Sequence, residues 1–150
     1  MTRQLMDGTE IASFLETRST GVLALASGDD AYGVPVAFAF EADESNVYFR
    51  LGYDSDSQKR SYIEATETAT FTVYDRTPEG WKSVIAEGEL ETLTETSLET
   101  SLEESIRNLD IPYFQVHAES AADLEQNTVR LDATKLTGIA QGRHGQRNPR

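Results

Sequence analysis

Three neighbouring segments decide the fold: AYGVPVAFAF over Ala31–Phe40, NVYFRLG over Asn46–Gly52, and SQKRSYI over Ser57–Ile63. In the first, Val34, Val36, Phe38 and Phe40 alternate with Pro35, Ala37 and Ala39, the period-two pattern of a strand with one bulky and one small face. An Asp43-Glu44-Ser45 turn then leads into Asn46 to Leu51 as the next antiparallel strand. Residues from about 57 to 65 read as a helix, with Ser57, Lys59 and Arg60 at its start. A phosphate wants backbone N–H groups, hydroxyls and one or two cations, and a helix N-terminus supplies these together. An apolar strand beside such a helix start, with Arg50 at the end of the second strand, is a way to hold a phosphate next to a flat ring.

Working outward, Gly28-Asp29-Asp30 is a turn, and VLALAS after Gly21 reads as a strand buried on both faces. Before it, Ile11, Phe14 and Leu15 at helical spacing predict a short helix from Asp7 to Glu16, with Thr9 as a cap. After the central stretch, Ala69, Phe71 and Val73 alternate with Thr70, Thr72 and Tyr74, and Trp81 to Leu93 alternates again with Glu87, Glu89 and Glu91 outward. Leu98, Leu102, Ile106 and Leu109 mark an amphipathic helix over Thr94–Leu109, stopped at Asp110-Ile111-Pro112. Residues from about 126 to 141 read as a last strand, and the basic tail at about 143–150 as a flexible end. The expectation is a single domain over 1–150, mainly β with short helices, closed into an antiparallel barrel or strongly curled sheet.

Composition narrows the function. A chain of 150 residues is long enough to bury a core, for which Phe14, Val22, Leu23, Leu25, Val36, Phe38, Phe40, Tyr48, Phe49, Phe71, Val73 and Val84 are candidates. The absence of cysteine excludes disulfides, thiolate metal sites and a cysteine nucleophile, and two histidines leave little for a metal centre. Asp and Glu outnumber Lys and Arg by 26 to 13, a formal net charge of -13, which repels nucleic acid and anionic lipid. The acids are dispersed rather than gathered into a tail, as on a halophilic surface solvated in concentrated salt. No apolar run approaches the roughly 20 residues of a membrane span, and MTRQLMDGTE lacks a signal peptide's apolar stretch, so a cytoplasmic location is expected.

Several of these residues have a purely structural reading. Pro35 marks a strand edge or a bulge, since it has no N–H for a ladder. Ala37 and Ala39 relieve crowding in a narrow barrel or make room for a ligand. Arg50, Lys59 and Arg60 balance Asp54, Asp56 and Glu64 or hold an anion; at helical spacing Arg60 points away from Lys59. Trp81 is a plug over the barrel end or a ligand contact, with Ser83 facing inward alongside Ile85. His117, after Tyr113-Phe114-Gln115-Val116, reads as a packed or exposed histidine before it reads as an acid.

The ordered set GVLAL, YGVPVAFAF, VYFRLG, SQKRSYI, ATFTVYD, GWKSVIAEGELE and the closing VRLDATKLTG resembles the pyridoxamine 5'-phosphate oxidase-like split-barrel flavoproteins, especially their nitroimidazole-resistance-like branch. The resemblance implies an antiparallel split β-barrel and FMN bound between two subunits of a homodimer. It places Pro35, Val36 and Ala37 along the flavin ring, Arg50 before Leu51 and Gly52 at the end of the next strand, and Ser57 and Lys59 on the phosphate. Asp56 departs from the glycine common at its place. Trp81 and Ser83 correspond to the strand that approaches the partner subunit's flavin. The implied activity is a flavin-dependent oxidoreductase acting on a small molecule, with catalytic residues unassigned. Two other outcomes fit the same residues: a non-catalytic flavin-binding or sensing module, or a reductase using the deazaflavin coenzyme. Oxidation of pyridoxamine 5'-phosphate itself is not expected, because no second basic cluster stands ready for that substrate's phosphate.

The charge excess has a direct thermodynamic consequence. Salt shortens the Debye length to about 3 Å at 1 M, so repulsion among the surplus carboxylates fades as salt rises. The thermal unfolding midpoint is therefore expected to climb across a salt series. A flat or falling midpoint would contradict the screening account.

Overall fold

The computed structural model describes residues 2–53, 58–93 and 125–142. In chain order these form β1 (Thr2–Leu5), α1 (Gly8–Glu16), β2 (Thr20–Ser27), β3 (Asp30–Glu41), β4 (Asn46–Tyr53), α2 (Gln58–Ala65), β5 (Ala69–Thr77), β6 (Gly80–Leu93) and β7 (Glu125–Gly142). The helix expected over Thr94–Leu109, His117 and the basic tail lie outside the described residues.

Each connection has a local cause. Asp7, not Thr9, caps α1: its carboxylate accepts the Glu10 N–H at 2.8 Å while the Glu10 side chain accepts the Asp7 N–H, a reciprocal capping box. β2 and β3 form a hairpin with Ser27 opposite Asp30, leaving a two-residue turn in which Gly28 takes the positive φ of 61° that L side chains avoid. Ser45, at φ 55°, closes the turn from β3 into β4.

All pairings are antiparallel, in the order β1-β7-β4-β3-β2-β5-β6, and β6 pairs in turn with β7, so the sheet closes into a barrel. Leu23, Leu25, Phe38, Val47, Phe49, Phe71, Val73, Val84, Val129 and Leu131 fill it. Phe71 sits at the centre, edge-on to Phe38 and Phe49 at ring-centroid distances of 5.0 and 4.8 Å. Ile11, Phe14 and Leu15 of α1 and Ile63 of α2 join the same core.

The closed single sheet overturns the expectation for VLALAS. Only Leu23 and Leu25 are buried; Ala24 and Ala26 face out, and Val22, a predicted core residue, is 41% exposed. A barrel strand has one face on the core and one outside, so an all-apolar run here means an apolar exterior rather than a second core. For the same reason Phe71 and Val73 point into the core.

β7 closes the barrel by changing neighbours. Asn46–Tyr53 of β4 lie against 125–132, while Thr2–Leu5 lie against 139–142 on the same side. Between the two, the β6 register shifts, with Glu87 opposite Lys135 and Gly88 opposite Ala133, so Thr134 is an extra residue on β7. That bulge switches the buried phase from Val129, Leu131 and Ala133 to Gly138, flanked by the partly buried Leu136 and Ala140. The close approach needs a glycine on β6, because a Cβ at Gly88 would fall 1.8 Å from the Asp132 carbonyl oxygen. Gly88→Ala is expected to cost about 1–3 kcal/mol or more. Gly8→Ala, with nothing within 4 Å of the new Cβ, should leave stability unchanged or raise it by up to about 1 kcal/mol. Denaturant unfolding of both variants at one salt concentration makes the comparison, and equal midpoints would remove the close-approach argument.

Candidate functional site

The two ladders on β3 follow one another along the strand. It pairs with β2 from Asp30 to Ala37, but with β4 only from Phe38 to Glu41. β4 beyond Phe49 continues against β7 alone, through Arg50↔Thr128, Leu51↔Asn127 and Gly52↔Gln126. The β3–β4 ladder therefore stops immediately before Ala37 and Arg50, and the two strands part there. One lip of this split carries Pro35 and Ala37; the other carries Arg50, Leu51 and Gly52, and the chain then leads to α2.

Hairpin parity shows which way the first lip points. In a two-residue hairpin the pair flanking the turn is hydrogen-bonded and pairs alternate from there, which puts Ser27–Asp30, Leu23–Val34 and Gly21–Val36 among the bonded pairs. The Phe38 N–H donates to the Ser19 carbonyl at 3.0 Å, in step with that count. Pro35 is then at a non-bonded position whose nitrogen faces the split, where no strand asks for an N–H. The edge reading of Pro35 holds and the bulge does not, since the β2–β3 register runs unbroken. The Ala37 N–H shares this direction, while its side chain, next to the core residues Val36 and Phe38, is fully buried at 0% exposure; Ala39 is only partly buried. Val36 does the opposite of what a ring contact requires: its side chain is turned into the core at 3% exposure.

Lys59 lies in the first turn of α2, and Ser57 just precedes the described part of that helix. Arg60 pairs with Glu64 one turn on, at 3.7 Å on the exposed side. Trp81 and Ser83 are on β6, separated from β3 by β2 and β5, so one chain does not bring them to the split. Trp81 is 40% exposed and tilted against Tyr74, not a plug over the barrel end. Ser83 and Ile85 alternate with the buried Val84 and Ala86 and face outward, opposite to the inward phase expected from the sequence.

Beside the split the structure holds a polar cluster that the sequence does not announce. Tyr48 and Asn46 alternate with the core residues Val47 and Phe49 and are themselves buried. The Tyr48 phenol donates to Glu41 at 3.3 Å and receives Asn46 Nδ2 at 3.4 Å. Arg130, opposite Tyr48 on β7, pairs with Glu91, opposite it on β6. Burial and the Glu41 carboxylate push the phenol above its ordinary pKa, against smaller lowering effects of the Asn46 hydrogen bond and Arg130.

A groove of about 370 Å³ lies between α1 and the β5–β6 hairpin. Its cations are committed: Arg18 pairs with Asp75 at 3.0 Å and lies over the Phe14 ring, and Lys82 pairs with Glu79 at 3.8 Å. None of the predicted ligand residues lines it. Among the described residues no group of three or more His, Asp or Glu side chains is placed to hold a metal ion, and no helix is long and apolar enough to cross a membrane.

Residues 7–140 match the family described as pyridoxamine 5'-phosphate oxidase. The chain belongs to that split-barrel family. A FAD-binding protein from Mesorhizobium loti superposes with a TM-score of 0.69 at 17% identity, covering 95% of this chain and 100% of its own. A candidate 5-nitroimidazole antibiotic resistance protein from Bacteroides thetaiotaomicron gives 0.68 at 14% identity, over 92% of this chain and 87% of that one. A conserved protein of unknown function from Corynebacterium diphtheriae gives 0.64 at 24% identity, over 92% and 97%. At these identities the likeness is one of fold. No curated protein matches the chain.

The Tyr48 shift carries a sign. The folded state holds the phenolic proton more tightly than the unfolded chain does, so the cluster's contribution is complete below the ordinary tyrosine range near pH 10 and lost as pH rises through the folded value. Replacing Tyr48 with Phe removes that titration. Stability measured across an alkaline series is expected to fall more steeply in the parent than in Tyr48→Phe; parallel curves would contradict the assignment.

Proposed function

We propose that the chain binds FMN at the β3–β4 split and acts as a flavin-dependent oxidoreductase on a small molecule. The observation that carries this is the parting of the two strands at Ala37 and Arg50, which sets the exposed Pro35 on one lip and a cationic position leading to a helix start on the other. Pro35, which offers no N–H, suits the face of a ring, and Arg50, Ser57 and Lys59 with the α2 N-terminus suit its phosphate. A family whose relatives include a FAD-binding protein supports the flavin. Bound there, the flavin supplies hydride or electron transfer, while the residues of this chain orient it and set its electrostatics.

The reading includes a homodimer. The exposed large hydrophobics among the described residues are Leu5, Val22, Tyr74, Trp81 and Ile85. They fall on adjacent outward rows that cross the sheet: Pro35, Val22, Thr72, Ile85, Thr137; then Tyr74, Ser83, Ile139, Leu5; then Arg76, Trp81, Gln141, Arg3. None of these positions is Asp or Glu, in a chain with 26 acids. A second copy carrying the same net charge of -13 meets the least repulsion on an acid-free apolar face. Pro35 ends one of those rows, so a two-fold contact brings the partner's β6 toward the split that Trp81 and Ser83 do not reach within one chain.

Two experiments test this. Lys59→Ala removes a charge-assisted contact worth about 1.5–3 kcal/mol, a roughly ten- to hundredfold loss of FMN affinity. Riboflavin, which lacks the phosphate, should bind the parent weakly and be nearly indifferent to the substitution. Equal losses for both flavins would make Lys59 a support of the fold, and no loss would place the phosphate elsewhere. Separately, light scattering in molar salt should find the parent dimeric and Ile85→Glu monomeric; a monomeric parent that still binds FMN stoichiometrically would remove the interface.

A further inference from the structure

Ala26 lies on β2 just beyond the reach of β5, which pairs with β2 only from Val22 to Ala24. By the same parity that orients Pro35, the Ala26 N–H and C=O face the β5 side, where the next strand residue would have been. A single side chain takes that seat. The Thr66 hydroxyl accepts the Ala26 N–H at 3.0 Å, with the Ala26 carbonyl oxygen 3.1 Å away and the Tyr62 carbonyl oxygen 2.5 Å away as acceptors for its one proton. The Thr66 N–H donates to the Tyr62 carbonyl at 2.9 Å, so Thr66 continues the last turn of α2 while acting as a sheet partner for β2.

The same helix face carries the rest of the attachment. Tyr62 stacks on Tyr32 of β3 with centroids 5.1 Å apart, and Ile63 is buried in the core. Positions 59, 62, 63 and 66 follow the i, i+3, i+4, i+7 spacing of one helical stripe, and Lys59 stands two turns before Thr66, about 10.5 Å along the axis. Arg60 pairs with Glu64 off this stripe.

We propose that Thr66 is the positioning residue of the phosphate site: by clipping the C-terminal end of α2 to the β2 backbone, with the Tyr62–Tyr32 stack as the second hold, it sets the height and rotation at which Lys59 is presented. This rests on the reading that Lys59 meets the cofactor phosphate. Thr66 touches no ligand itself; it acts through the helix.

The test measures FMN and riboflavin affinities by flavin fluorescence, at one salt concentration, for the parent, Thr66→Val, Thr66→Ser, Tyr32→Leu, Lys59→Ala and the double variant Lys59→Ala/Thr66→Val. Thr66→Val keeps the branched shape and loses the hydroxyl, and is expected to weaken FMN about three- to tenfold while leaving riboflavin unchanged; Thr66→Ser keeps the hydroxyl and restores FMN affinity. Tyr32→Leu, which leaves the hydroxyl clip in place, should show a loss of the same FMN-selective kind. In the Lys59→Ala background the Thr66 substitution should cost nothing further, because the effect passes through Lys59. Equal loss of both flavins, undiminished FMN binding by Thr66→Val, or additive losses in the double variant would overturn the proposal. A full FMN affinity in Lys59→Ala would overturn the phosphate reading along with it, whereas a loss in Lys59→Ala without one in Thr66→Val would overturn this inference alone.

Discussion

The structure depends on the backbone hydrogen bonding of one long strand. β7 serves β4 with its first half and β1 with its second, while β6 runs along its other side throughout. Closure through β7 removes the free outer edges of the sheet, and ladder groups stay open where β3 and β4 part and where β5 runs past β2. The Thr134 bulge and the absence of a side chain at Gly88 are what allow the change of neighbours, since two strands that close cannot approach with a Cβ between them. On its other edge β4 is paired with β3 only as far as the Phe38–Phe49 pair, so the two strands part beyond it and the split with its proline lip exists.

Much of this is visible in the sequence, for a physical reason. Alternation in β3 and β5, the turn at Gly28, the helix over SQKRSYI and the last strand are all local patterns, and the structure places them within a few residues of where the patterns put them. The family resemblance rests on the order of those segments, and the family match spans most of the chain. What is not legible depends on register between distant strands. VLALAS reads as buried on both faces because nothing in the run itself says that its outer side is left uncovered by the barrel. The Arg130–Glu91 pair joins β6 to β7 across 39 residues, so no spacing in the chain links it, and the Glu41–Asn46–Tyr48 cluster, though within one hairpin, depends on which face the register buries. The bulge at Thr134 is likewise a count of partners, not a motif. At the candidate site, period two correctly separates the small from the bulky positions of β3 but also turns Val36 inward, a consequence that the motif-level correspondence to a ring contact passes over.

Charge placement connects these observations to function. With 26 acids against 13 bases, any acid-free region of the surface stands out, and the one on β2, β5, β6 and β7 coincides with the exposed large hydrophobics and abuts the split through Pro35. A basic position at the end of β4 and another at the start of α2 stand against the same background. In a low-charge protein neither arrangement would carry much weight. In the proposed reading, the local exceptions to a strongly anionic surface are where the second copy and the cofactor phosphate would sit.

The measurement that tests the central claim most directly is the absorbance spectrum of protein purified in high salt, followed by mass analysis of whatever acid treatment releases. The account predicts an oxidised-flavin spectrum, or its appearance on adding FMN, and release of one FMN per chain. A colourless protein that takes up no FMN, or the release of a deazaflavin coenzyme instead, would contradict it.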